Sequence, residues 1–298
     1  MNQKYIQGIK LALLTAIISG LANFLNKEMI ISGIDPVYLT MIKSALVGLA
    51  FVGLALPLIK SQKLQKIDWL KFILVAIIGG SIPFILFFKG LALTTAIKAS
   101  FIHKTLFVWV TLWSLMFFKE KIKKYQFIAL IIIAAGILAA INFRFFSWGR
   151  GELMILLATL FWSAEIMLVK KFMKNIDFRL LAAARMFFGA LIIFAFGIFS
   201  GSFSSAYAPT INDWAKILVV SAFLFGYVLT WYKALSLAPA SLVTNILTLA
   251  FPITILASSF KSFSLPKSLD IISIFLIFAG IILIIQPFLE KWKINLKI

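Results

Sequence analysis

Long apolar runs alternate with short polar stretches along the whole chain. Blocks of about 17 to 25 residues recur ten times, and at roughly 1.5 Å rise per residue each is long enough, or nearly so, to cross a hydrocarbon core. The pattern predicts spans over 11–31, 36–59, 69–88, 94–118 and 125–141, then over 149–170, 178–199, 214–236, 240–260 and 269–287. Connections are short, and the longest, about 200–213, is rich in Ser, Gly and Pro and reads as a loop. An all-α polytopic membrane protein of ten transmembrane helices follows, with no stretch left to form a catalytic domain outside the membrane. The first apolar run follows Lys4 and Lys10 but continues to Ile31, longer than a signal-peptide core, and reads as a retained span.

Composition agrees with this pattern. Of 298 residues, 62% are apolar and 13% charged, with mean hydropathy +1.06, whereas soluble domains carry about 25% charged residues. The net charge of +19 sits in short clusters between spans rather than on one face, which argues against nucleic acid and for topology signals. There is no cysteine and one histidine, so neither a thiolate site nor a histidine metal cluster is expected, and no cofactor.

The clusters orient the chain. Seventeen Lys and Arg fall on one side, among them Lys63, Lys119, Lys121, Lys171 and Lys297, against five on the other: Arg144, Arg150, Lys216, Lys261 and Lys267. Cytoplasmic loops retain Lys and Arg, so both termini are expected inside a prokaryotic plasma or inner membrane. Trp69, Trp148 and Trp214, near predicted span ends, suit an interfacial belt.

The halves also match at a shift of about 142 to 145 residues. Asp35-Pro36 through Lys43 aligns with Asp177-Phe178 through Arg185, and Phe88-Lys89-Gly90-Leu91 with Tyr232-Lys233-Ala234-Leu235. Two repeats, 1–143 and 144–298, each of five spans, must then lie in opposite senses across the membrane. The basic loops switch sides accordingly. Inverted repeats of this kind characterise secondary transporters.

These features resemble the drug/metabolite transporter superfamily, and within it ten-span proteins of two EamA-type domains, over nearly the whole chain. The resemblance rests on Phe88-Lys89-Gly90-Leu91-Ala92-Leu93, Phe118-Lys119-Glu120-Lys121 and Gly136 in the first half. In the second it rests on Trp231-Tyr232-Lys233-Ala234-Leu235, Ala238-Pro239-Ala240-Ser241-Leu242, Pro252 and Ala279-Gly280. The proline familiar in the fourth span of such domains is absent near Trp109, so the two halves are not expected to bend alike. Glu120 has no acidic counterpart near Ser262. The resemblance implies secondary transport of amino acids or other small metabolites by alternating access, with export the family-weighted direction. Organic-anion or phosphate-ester exchange is a narrower form of the same reading. A membrane-embedded lipid-modifying enzyme or a lipid scramblase is the alternative, but the chain offers no cluster of His, Asp and Glu for the first.

Seven of the 29 bases lie inside the predicted spans: Lys27, Lys43, Lys89, Lys98, Lys104, Arg185 and Lys233. An ionised group at bilayer depth costs about 2.5–3.5 kcal/mol on insertion scales, so each must face protein, water or a headgroup. Lys27, Lys89 and Lys233 lie close enough to span ends to snorkel. Lys43 is seven residues inside its span, about 10 Å deep, and Lys98, His103 and Lys104 enter from the same side. Together they describe a basic vestibule suited to an anionic or zwitterionic solute, unless the helix turn carries Lys104 away from Lys43. His103 is the candidate for proton coupling, with counter-solute exchange the other way to drive transport. Glu165 and Arg185 lie at similar depths, about 9 and 11 Å, on neighbouring helices, where they can form a clamp or a gate. Asn23, Asn26, Trp162 and Asn245 are further candidates, Asn245 on a stripe with Ser241, Thr244 and Thr248.

Overall fold

The computed structural model describes residues 3–120, 122–140, 148–202 and 209–295. Ile141, the expected repeat boundary at 143/144, Lys121, Arg144, Lys297 and part of the 200–213 loop lie outside the described residues.

The described chain is helical throughout, as the apolar periodicity predicts. The first half comprises α1 (Gln3–Ile31), α2 (Pro36–Ser61), α3 (Lys66–Val75), a π-helical turn (Ala76–Ser81), α4 (Ile82–Ala92), α5 (Ala96–Lys104), α6 (Leu106–Phe118) and α7 (Lys124–Ala139). The second comprises α8 (Arg150–Phe172), α9 (Phe178–Phe199), α10 (Ile211–Leu237), α11 (Ala240–Leu247), α12 (Ala250–Lys261) and α13 (Ser268–Asn295). Taking α3 through α4, α5 with α6, and α11 with α12 as single stretches, nine described segments are long and apolar enough to cross a membrane, and the 16-residue α7 is a shorter tenth. Large apolar side chains cover the outside of the bundle, with Phe275 72% and Phe260 84% exposed. In water such a surface would aggregate; in lipid it is solvated.

Local chemistry sets the helix ends. Asp35 accepts from the backbone N–H of Val37 and Tyr38 at 2.8 Å, with Pro36 entering α2. Asp177 caps α9 through Arg179 N–H at 2.9 Å. Partial burial pushes the Asp177 carboxyl upward, but hydrogen bonds from the Arg179 guanidinium and backbone hold it below its ordinary value, so the cap stays ionised.

Three spans are discontinuous, which apolar periodicity does not reveal. In the third, Pro83 lacks an N–H and cannot bond the carbonyl four residues earlier, that of Gly79; the chain widens there into the π turn. The ninth breaks between α11 and α12 just before Pro252. The fourth breaks as well, at Thr105, without a proline. The missing proline does not keep the fourth span straight: Thr105 Oγ1 donates to Ile102 O at 2.7 Å, and the Thr105 N–H bonds the same carbonyl at 3.1 Å, tightening the turn.

The two halves interleave around one core. α1 packs on α10 and α4 on α8, while α2 packs on α9 and α7 on α13. The broken spans cross, with α5 against α12 and α6 against α11. At the tightest crossing only glycine fits: a Cβ on Gly80 would stand 1.9 Å from Arg185 O, and one on Gly189 2.6 Å from Gly80 O.

Candidate functional site

The interleaved helices leave a central cavity of ≈ 60 Å³ counted at water centres, lined from α1, α2, α4, α5, α8, α9 and α10. At about 10–15 Å³ per water this is room for roughly four to six waters, the scale of a small organic group. Its walls carry the aromatic rings of Phe84, Phe87, Phe88, Trp162 and Tyr227, and its cations are Lys43 and Arg185.

Lys43 is buried, 1% exposed. Its Nζ donates to Asn26 Oδ1 at 2.5 Å and lies 4.5 Å from the centre of the Phe88 ring. Among the described residues no carboxylate oxygen lies in ion-pair reach of it. Asn26 also lines the cavity, as does Asn23, whose Nδ2 donates to Ser100 Oγ at 3.3 Å.

Arg185 is equally buried but differently served. Its Nη1 lies 3.7 Å from Glu165 Oε1, and its guanidinium carbon 5.6 Å from the centres of both the Phe84 and Tyr232 rings. Glu165 in turn accepts a hydrogen bond from the Tyr232 hydroxyl. The Gly79 carbonyl released by Pro83 accepts from Arg185 Nε at 3.2 Å and Trp162 Nε1 at 3.0 Å. One missing backbone bond in the third span thus holds an arginine from α9 and a tryptophan from α8.

Around these two groups stand the other expected residues. The His103 ring packs between Trp162 and Phe87, at 4.9 and 5.4 Å, and its Nδ1 has no hydrogen-bond partner among the described residues. Lys104 does not line the cavity; its Nζ donates at 3.1 Å to Ser19 Oγ, which does. Lys98 stands apart from Lys43: it pairs with Glu152 at 3.5 Å and is not part of the lining. Asn245 is buried on the α11 stripe, also off the lining, with its Oδ1 unpartnered among the described residues. Of the three lysines near span ends, Lys27 donates to Leu91 O at 2.8 Å, while Lys89 and Lys233 lie over the Phe196 and Phe178 rings at 4.8 and 5.0 Å.

Sequence reasoning did not find Gly79, Phe84, Phe87 or Tyr227. The Gly79-Gly80 pair three residues before Pro83 is the one signal that marks a loosened backbone there. A phenylalanine among 31 carries none.

Comparison with known proteins agrees with the architecture. An uncharacterized transporter of Archaeoglobus fulgidus is 25% identical over 233 residues, 76% of this chain and 77% of its own length. A solved crystal structure superposes with a TM-score of 0.72 over 94% of this chain and 95% of its own, at 16% identity, a likeness of fold alone. The EamA-like transporter family matches twice, over residues 6–142 and 149–286. With nearly the whole chain matched, this protein belongs to the EamA-like transporter family, whose fold is that of a transporter rather than an enzyme.

Proposed function

We propose that the protein is a secondary transporter of small anionic or zwitterionic organic solutes, working by alternating access between two inverted five-helix repeats. The observation that carries this reading is the central cavity, where two buried cations, Lys43 and Arg185, line an otherwise largely aromatic wall. Buried charge inside a bilayer is costly and marks a solute or ion path. The helix pairing supports the two-repeat reading. The first span of each half packs on the third of the other, and the second, fourth and fifth pack on their own counterparts, as a two-fold axis in the membrane requires. Export is the direction the family favours, and the distribution of bases supports an orientation with both termini in the cytoplasm. His103, which lines the cavity, and Glu165, paired with the lining Arg185, are the groups through which a proton gradient can act.

Reconstituted protein, offered labelled amino acids, monocarboxylates and phosphate esters under imposed pH and charge gradients, tests the reading. Gradient-dependent movement of a carboxylate-bearing solute is expected; flux no greater than in protein-free vesicles for every class overturns it.

A further inference from the structure

The two cavity cations occupy matching places in the two halves. Lys43 and Arg185 each lie eight residues after an N-cap aspartate, Asp35 and Asp177, on the second span of their half. Each stands over an aromatic ring of the third span, Phe88 and Tyr232, which itself precedes a lysine, Lys89 and Lys233. A third pair of contacts fixes the register of the first spans. Lys27 donates to Leu91 O at 2.8 Å and Lys170 to Leu235 O at 2.5 Å, and these two lysines are 143 residues apart. The same offset separates the starts of the two family matches, at residues 6 and 149. On this register the counterpart of Glu165 is Ala22, and Ala22 lines the cavity. Where the second half sets a carboxylate beside its arginine, the first sets a methyl group on the wall of the same cavity that its lysine lines.

We infer that this part of the wall is the anion subsite of the cavity: the carboxylate of a small organic solute binds at Lys43 Nζ, in the place that Glu165 holds beside Arg185. The inference rests on the transport reading only in taking the cavity as solute-accessible. Lys43 spends one of its three N–H donors on Asn26 Oδ1, and its Phe88 face is closed by the ring, so the free donors are available on the cavity side. Asn26 lies one helical turn beyond Ala22, and its amide nitrogen, which makes no hydrogen bond among the described residues, is placed to donate to the second carboxylate oxygen. The charge balance selects a monoanion: Arg185 has Glu165, and Lys43 is the lining cation with no carboxylate partner among the described residues. The aromatic wall then receives the body of the solute.

The test uses acetate, the smallest group carrying this chemistry, on the purified full-length protein in detergent, against chloride at equal ionic strength and against acetamide. The unfolding temperature should rise saturably with acetate and not with chloride or acetamide. Asn26→Asp places a carboxylate on Lys43 from within, so acetate should bind about tenfold more weakly or worse, with the ligand-free unfolding temperature not lowered. Lys43→Met should lose the acetate response altogether. Stabilisation of the unaltered protein by acetamide equal to that by acetate, no response to acetate, or an undiminished response in both variants overturns the subsite. Gradient-driven flux persisting in any of those cases leaves the transport reading standing; absence of flux as well overturns both.

Discussion

Arg185 and Lys43 come from matching positions of the second spans, yet the protein treats them differently. Around Arg185 the bundle supplies a counter-ion, a tyrosine that holds the counter-ion, and a backbone carbonyl freed by Pro83. Around Lys43 it supplies an amide and a phenylalanine. Arg185 thus has a counter-ion and a carbonyl beside it, although its Nη1 makes no hydrogen bond among the described residues. A buried ion left without an anion keeps a debt of desolvation that a solute can reduce. The difference teaches that intramembrane charge alone does not locate a binding group; the surroundings of each charge do.

The comparison is broken most severely by stranding one member of the ion pair. Glu165→Gln leaves Arg185 buried without its counter-ion, and Arg185→Gln does the same to Glu165; each should cost about 3–5 kcal/mol of stability. The double replacement should cost clearly less than the sum, and thermal unfolding of the four proteins in detergent measures the coupling. Additive losses would show that the 3.7 Å approach carries no energy.

Removing the close approach beneath Arg185 comes next. Gly80→Ala puts a methyl group 1.9 Å from a backbone oxygen that cannot move aside alone, so a loss of about 1–3 kcal/mol or more is expected. Gly53→Ala, on α2 with nothing within 4 Å of the added atom, should not destabilise. Equal unfolding temperatures for the two variants would show that the crossing of α9 with the π turn is looser than described.

The smallest effect is expected at Lys98. Its pair with Glu152 is a long 3.5 Å contact with the lysine side chain 32% exposed, so Lys98→Gln should change stability by about 1 kcal/mol or less, and by less still at high salt. A loss as large as that of Glu165→Gln would place Lys98 among the structural ions instead.

These contrasts also show what the chain reveals unaided. Ten apolar runs were legible because each lipid-facing helix must be apolar for its full length, and the described helices follow them closely. The interruptions were not, because backbone bonding is decided by single residues. Pro83 releases Gly79, and Thr105 turns the fourth span with its own hydroxyl where no proline marks it. Charges inside spans were visible for the same reason that the spans were, and depth alone set Glu165 and Arg185 at one level. Depth also set Lys98 beside Lys43. It cannot say which way a helix faces, and Lys98 meets Glu152 near the start of α8 while Lys43 turns into the cavity. The aromatic wall was illegible because phenylalanine is common on every face of this chain.

The central claim is that Lys43 serves the solute while the Arg185 group serves the frame, and Lys43→Met in reconstituted vesicles tests it most directly. With a carboxylate-bearing solute shown to move through the unaltered protein, the variant should unfold at an equal or higher temperature, because a costly buried charge is gone. Its gradient-driven flux of that solute should fall by about tenfold or more. Undiminished flux through a folded Lys43→Met protein would contradict the account.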